Sequence, residues 1–289
     1  MKALYFDCFS GISGDMVLAS LIDLGADLSY IEEHLKQLPV DPFEIRVETV
    51  MKRGIAAKKL RLYIKGDHQH HGHRRAAEIF DMIDKSELPP RVKRRSRAIF
   101  HVIALAEGKI HGIDPGDVHF HEVGAMDSIL DIIGVCLALE NLDIGEILAS
   151  PVPTGYGKVR MAHGMYPIPA PATAELLTGI PLADLTVEGE LTTPTGAGIL
   201  KALVNEFGPL RSLTMERIGY GAGERDFDHP NVLRAILVQK QHASLSQVDG
   251  ERIDVQRTGE ISATEEFAVA APIPDHSGEN GGSHQDIRD

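Results

Sequence analysis

Between Val118 and Ile132 the chain reads VHFHEVGAMDSILDI, and these residue types are those of a metal or acid–base centre. His119 and His121 stand two apart, which on a strand sends both imidazoles the same way, with Glu122 on the opposite face or turning into the loop at Gly124. Asp127 and Asp131 stand four apart, which on a helix stacks their carboxylates on one side. Ile129, Leu130, Ile132, Ile133, Val135, Cys136, Leu137 and Leu139 make that helix apolar nearly all round, the pattern of a buried element. A carboxylate on a buried helix must be paired, hydrogen-bonded, protonated or bound to a cation, because leaving it bare costs several kcal/mol. His119, His121 and Asp131 are therefore candidate metal ligands, and Glu122 and Asp127 candidate acid–base groups. The plainer alternative has the histidines bonded to backbone groups and the aspartates capping the helix and pairing with arginines.

A second group of chemical residues sits at the start of the chain. Ala3 to Asp7 has the composition of a buried strand, and Cys8-Phe9-Ser10-Gly11-Ile12-Ser13-Gly14-Asp15-Met16 leads from it into a helix. Free N–H groups and the Ser10 and Ser13 hydroxyls, with Gly11 and Gly14 between them, suit an anion at a helix start. Asp7, Cys8 and Asp15 add metal-ligand or acid–base types; a tight turn capped by Ser13 or Asp15 is the alternative. No Gly-Lys-Ser/Thr follows, so this is not an ATP-binding P-loop. Thr192, Thr193 and Thr195 repeat the loop-to-helix arrangement, with Thr195 as the expected cap of a helix ending near Gly208. Those hydroxyls could hold a phosphate or only cap the helix. His68, His70, His71 and His73 form an internal tract suited to nickel, copper or zinc, or to a merely solvated loop.

The elements that would position these groups read as mixed α/β. A helix near Ser29 to Leu38, a hairpin of Phe43–Met51 with Ala57–Lys65, helices over Arg74–Lys85 and Pro90–His111, and a strand at Ile147–Val152 follow from periodicity and breakers. Arg91, Lys93, Arg94, Arg95 and Arg97 crowd the start of the fourth helix, where a solvated face is the simplest use and an anion partner the other. The stretch from Thr154 to Pro171, with Lys158, Arg160 and His163, reads as an extended proline-rich loop feeding a helix at Ala172–Leu177. Closing strands fall at Met215–Tyr220 and Val232–Val238; the glycines between 219 and 223 are a weak dinucleotide signal, because a strand follows them. The body runs from residue 1 to about 238, with a lobe boundary near Gly112–Asp117 and the strand order left open; residues 239–289 are acidic and read as a disordered tail or linker. A net charge of −13 argues against general nucleic-acid binding. No apolar run is long enough to span a bilayer, no signal peptide opens the chain, and two distant cysteines suit a reducing compartment, so a cytoplasmic location is expected.

Taken together, Asp7 to Met16, His119 to Gly124, Asp127-Ser128-Ile129, Thr192 to Gly196 and Gly219 to Gly223 resemble the LarC family, the nickel-insertion proteins of nickel-pincer nucleotide biosynthesis. The resemblance covers about residues 1 to 238, the histidine tract included. It implies a nickel chelatase of the lyase class. Ni(II) would enter pyridinium-3,5-bisthiocarboxylic acid mononucleotide through one nickel–carbon and two nickel–sulfur bonds, at the expense of CTP. The product resembles the cofactor of lactate racemase, so apo lactate racemase is the implied recipient. CTP with magnesium or manganese is implied for a C-terminal domain that family members carry and that nothing after Val238 resembles. The chain is thus expected to be one half of a split enzyme, with the C-terminal domain or subunit as partner and a homo-oligomer left open. Carbon metallation needs a base for the ring proton, for which Glu122, Asp127 or His121 would serve. The alternatives are a non-enzymatic nickel carrier using the histidine tract, and a magnesium- or manganese-dependent phosphate-ester hydrolase using Asp7, Asp15 and the 119–131 centre.

Overall fold

The computed structural model describes residues 2–64, 74–120, 126–161 and 164–240. The histidine tract, His121, Glu122, His163 and the acidic tail lie outside the described residues. The body is mixed α/β as expected, and its sheet is laid around the first strand. β1 (Lys2–Asp7) runs parallel to β4 (Ile144–Ala149) and antiparallel to β9 (Val232–Lys240). Alternation along β1 sends Leu4 and Phe6 into the main core and Tyr5 to the other face, where it packs with Leu148, Ile236 and Val238. Both faces are covered, which is why the strand reads as a continuous apolar run.

Around it the seven-stranded order is β2-β3-β8-β9-β1-β4-β7, with β2 (Phe43–Lys52), β3 (Ile55–Ile64), β7 (Glu206–Phe207) and β8 (Leu213–Ala222). β2 and β3 form the expected hairpin. The 154–171 stretch is more ordered than a loop: β5 (Lys158–Met161) and β6 (Gly164–Pro167) pair as a separate antiparallel ribbon. Among the described residues, His119 forms one antiparallel bridge, to Arg75, and His121 lies outside them.

The helices are α1 (Gly14–Asp23), α2 (Leu28–Leu35), α3 (Ala76–Lys85), α4 (Pro90–His111), α5 (Met126–Asn141), α6 (Pro171–Leu176) and α7 (Pro194–Leu203). α5 is buried along most of its length, and a Cβ on its Gly134 would lie 2.8 Å from Leu18 Cδ2 of α1, so the two helices pack closely. α7 stops at Leu203, short of Gly208, because β7 begins three residues later and pairs with β4. The basic start of α4 is consumed internally. Arg91 pairs with Glu140 and Asp143, Arg97 with Asp84, and Arg95 donates to the Ile144 carbonyl at 2.6 Å. These contacts tie α4 to α5, β4 and α3, so neither a free cationic face nor an anion is needed to explain most of the charge.

Candidate functional site

Three of the segments singled out by residue type converge on one cleft of about 350 Å³. Its walls are Ser13, Gly14 and Asp15 from the β1–α1 loop and first turn of α1, Asp127, Ser128 and Asp131 from α5, and Glu190, Thr193, Pro194 and Thr195 from the start of α7, with Leu60 and Leu62 of β3 as the apolar side. The convergence has a local cause. The β1–α1 loop pairs with the strap entering α7 through a parallel bridge between Ile12 and Thr192, Ile12 N–H donating to the Leu191 carbonyl at 3.0 Å and Thr193 N–H to the Ile12 carbonyl at 3.1 Å. Gly11 takes the positive φ of 88° that this crossing requires. Gly14 then lets α1 begin in contact with the other two walls: a Cβ there would stand 2.9 Å from Asp131 Oδ2 and 2.8 Å from Thr195 Cγ2.

The carboxylates give the cleft its chemistry. Burial pushes the Asp131 carboxyl well up, and the negative charges of Asp15 and Asp127 push it further. Burial also raises Asp15, opposed by hydrogen bonds from the Ser13 hydroxyl and the Met16 backbone N–H. Asp127 is exposed at the rim and accepts from the Ser128 N–H at 2.8 Å. A cation between these groups would relieve both causes of the shift, and without one the site retains a proton more tightly than an ordinary carboxylate does. Two helix starts, α1 and α7, open onto the same space, though at α7 Pro194 has no N–H and the Gly196 N–H is taken by Thr193.

Other expected site residues lie elsewhere. Asp7 is held by Arg234, whose Nε donates to it at 2.9 Å. Cys8 follows Leu4 and Phe6 in the core-facing series and is fully buried; burial pushes its thiol up, Asp7 adding to the effect, so it is no ready thiolate. Ser10 is fully buried against His229 and Asn231. Thr192 is buried and donates to the Pro153 carbonyl at 2.7 Å. Thr193, not Thr195, caps α7, accepting from the Gly196 N–H at 3.2 Å, because Pro194 occupies the first helical position. His119 is exposed between the buried Val118 and Phe120 and does not line the cleft. Among the described residues, no group of three or more His, Cys, Asp or Glu side chains is arranged to hold a metal ion. Glu190 was missed by sequence reasoning; its place two residues before Thr192 was the available signal.

The glycines at 219 and 221 have a packing role. A Cβ on Gly219 would stand 2.2 Å from the Ser20 carbonyl oxygen, and one on Gly221 1.9 Å from that of Met16. They let β8 lie directly on α1, which accounts for the pattern without a dinucleotide.

The nickel insertion protein family model matches residues 4–284 of the chain. The chain belongs to the nickel insertion protein family. The match runs on past Val238 into the acidic region. Similar proteins carry the name pyridinium-3,5-bisthiocarboxylic acid mononucleotide nickel insertion protein. That of Staphylococcus saprophyticus is 58% identical over 86% of this chain and 62% of its own length, and that of Geobacillus kaustophilus 50% identical over 85% and 62%. A putative nickel insertion protein of Dictyoglomus thermophilum is 45% identical over 82% of the chain and 61% of its own length. The chain thus spans about 60% of the length of these curated relatives. No solved structure matches it. Among the described residues, no helix is long and apolar enough to cross a membrane.

Proposed function

We propose that the cleft between α1, α5 and α7 is where this chain brings Ni(II) to pyridinium-3,5-bisthiocarboxylic acid mononucleotide, and that the chain is the metal-presenting part of a nickel chelatase. The observation that carries this is the meeting of Asp15, Asp131 and the α7 threonine turn in one space, in a chain whose relatives are named for that insertion. Nickel is here a substrate. Asp15, Asp127 and Asp131 supply oxygen donors, and His121 and Glu122, a few residues before α5 in the sequence, are the imidazole and carboxylate we add to them, since nickel favours imidazole over an all-oxygen set. The ring proton lost when the nickel–carbon bond forms goes to whichever of Glu122, Asp127 and His121 is not holding the metal. The Ser13–Asp15 turn and the Thr193–Thr195 turn hold the phosphate.

The histidine tract at 68–73 supplies nickel when it is scarce. CTP, its magnesium or manganese, and delivery to apo lactate racemase we assign to a C-terminal domain or subunit acting with this chain. Cytoplasmic work suits the two free, buried cysteines, Cys8 and Cys136.

The test is nickel insertion by the chain with an added C-terminal domain, CTP and the bisthiocarboxylate nucleotide, read as activation of apo lactate racemase. Asp15→Asn and Asp131→Asn should each lower the rate at least a hundredfold with the fold intact by circular dichroism. Deleting 68–73 should matter only at low nickel. Wild-type rates in both aspartate variants would remove the assignment, and loss of all nickel binding on deleting the tract would turn the chain into a carrier.

A further inference from the structure

The two edges of the seven-stranded sheet are finished differently. At one edge β7 is two residues long, too short to recruit another strand. At the other, β2 runs for ten residues with neither proline nor glycine, and its ladder with β3 is free of bulges. Among the described residues, no strand lies beyond it. A long, regular edge of this kind is a template for one more strand, and a protein with no use for it interrupts or covers it.

The hairpin turn fixes which groups that edge offers. Lys52 and Ile55 close it around Arg53 and Gly54, whose φ values of 48° and 87° are both positive, as a two-residue type I′ turn requires. Such a turn closes on a doubly hydrogen-bonded pair, and bonded and non-bonded pairs then alternate along the antiparallel ladder. The even-numbered residues of β2 therefore direct N–H and C=O at β3, while Phe43, Ile45, Val47, Thr49 and Met51 direct theirs outward. The same alternation divides the side chains. Phe43 and Ile45 are buried and Val47 packs on the core, whereas Met51 on the same face is 65% exposed. Arg46 and Glu48 are exposed on the opposite face.

These constraints select one register for a second copy of β2 laid antiparallel across a two-fold axis. Only an axis through a residue position keeps the two core faces on one side and lets outward groups meet outward groups. Centred on Arg46, it sets Arg46 against itself and Glu44 against Glu48; centred on Glu48, it sets Glu48 against itself. A centre at Ile45 leaves Thr49 and Met51 without partners in the strand, and one at Thr49 sets Arg46 against Lys52. Centred on Val47, it places Arg46 of each copy opposite Glu48 of the other, in the non-hydrogen-bonded pairs whose Cα atoms approach to about 4.5 Å. Val47 then bonds its own symmetry mate, Ile45 meets Thr49, and Phe43 lies beside the exposed Met51. Arg46 is already laid along this face, its Nε donating to Glu44 at 2.7 Å and its guanidinium 4.9 Å from the Tyr63 ring centroid, which leaves its terminal nitrogens for Glu48 of the other copy.

We propose that β2 pairs with β2 of a second copy about a two-fold axis at Val47, joining the two sheets into one. The contact is isologous and closes on itself, so it makes a dimer and leaves no free edge for a third chain. It needs neither nickel nor nucleotide.

Sedimentation of the full chain without nickel tests it. The wild type should be a dimer at tens of micromolar. Arg46→Glu leaves only carboxylates at the two charge contacts and Glu48→Arg only guanidiniums, so each variant alone should be a monomer. An equimolar mixture of the two variants restores an opposite pair at each contact and should sediment as a heterodimer. Amide exchange of the wild type reads the register without any substitution: on dilution to monomer the Ile45, Val47 and Thr49 N–H groups should exchange at least tenfold faster, while those of Glu44 and Val50, bonded to β3, should not change. A monomeric wild type, a dimer in either single variant, a mixture of folded variants that stays monomeric, or dilution that leaves Ile45, Val47 and Thr49 unaffected would each overturn the proposal.

Discussion

Asp131 is the residue on which most of the site's electrostatics depend. Its folded-state proton affinity lies above the ordinary carboxylate range because of burial first and the charges of Asp15 and Asp127 second. Between the unfolded and the folded value the native state binds more protons, so stability falls as pH rises through that window and stays reduced above it. Asp131→Asn, with metal chelated, should therefore stabilise the chain at pH 7 by about 1 kcal/mol, a common size for relief of strain at a functional site. The gain should fade as pH drops to about 4, where the unfolded carboxylate also takes up its proton. Urea unfolding at both pH values checks it, and a loss of stability at pH 7 would mean that the charge is already compensated. That this aspartate and Asp127 share one side of α5 was legible from their spacing of four, and both line the cleft. That Cys8 does not was legible too, from its parity with Leu4 and Phe6 on β1. What could not be read was Ser10 reaching His229, because the two meet only through the β1–β9 pairing.

At the scale of elements, the α1 contacts decide where the cleft lies. α1 is pressed between β8, through Gly219 and Gly221, and α5, through Gly134. Gly221→Ala places a methyl carbon 1.9 Å from the Met16 carbonyl oxygen, an overlap with backbone that no rotamer relieves. The expected cost is about 3 kcal/mol, at the upper end of overpacking, with loss of nickel insertion as α1 is displaced. Gly208→Ala, which meets open space, should cost less than about 1 kcal/mol in the same unfolding series. Equal costs for the two would deny α1 its fixed seat. The helices and the β2–β3 hairpin were legible because apolar period and breakers are local signals. The β5–β6 ribbon was not, since the alternation of Lys158-Val159-Arg160-Met161 spans only four residues in a stretch dominated by glycines and prolines, and the glycines of β8 signal close packing only once their partner helix is known.

Across the whole molecule, the class was legible and the arrangement was not. Alternating strand and helix patterns indicate mixed α/β, but the order β2-β3-β8-β9-β1-β4-β7 depends on pairings between residues more than two hundred positions apart. Residues 13–15 and 190–195 meet through the Ile12–Thr192 bridge and 127–131 join them through the packing of α5 on α1, contacts distant in sequence, which is why residue types identified the segments and could not show that they share one cleft. Membership of the nickel insertion protein family is the ground on which we propose nickel as the cargo of that cleft. The most direct test is anomalous diffraction at the nickel edge from crystals of the chain loaded with one equivalent of Ni(II). The account predicts a single strong peak within coordination distance of the Asp15 and Asp131 carboxylates, lost in Asp131→Asn. A peak confined to the 68–73 histidines, with the α1–α5–α7 cleft empty, would contradict it.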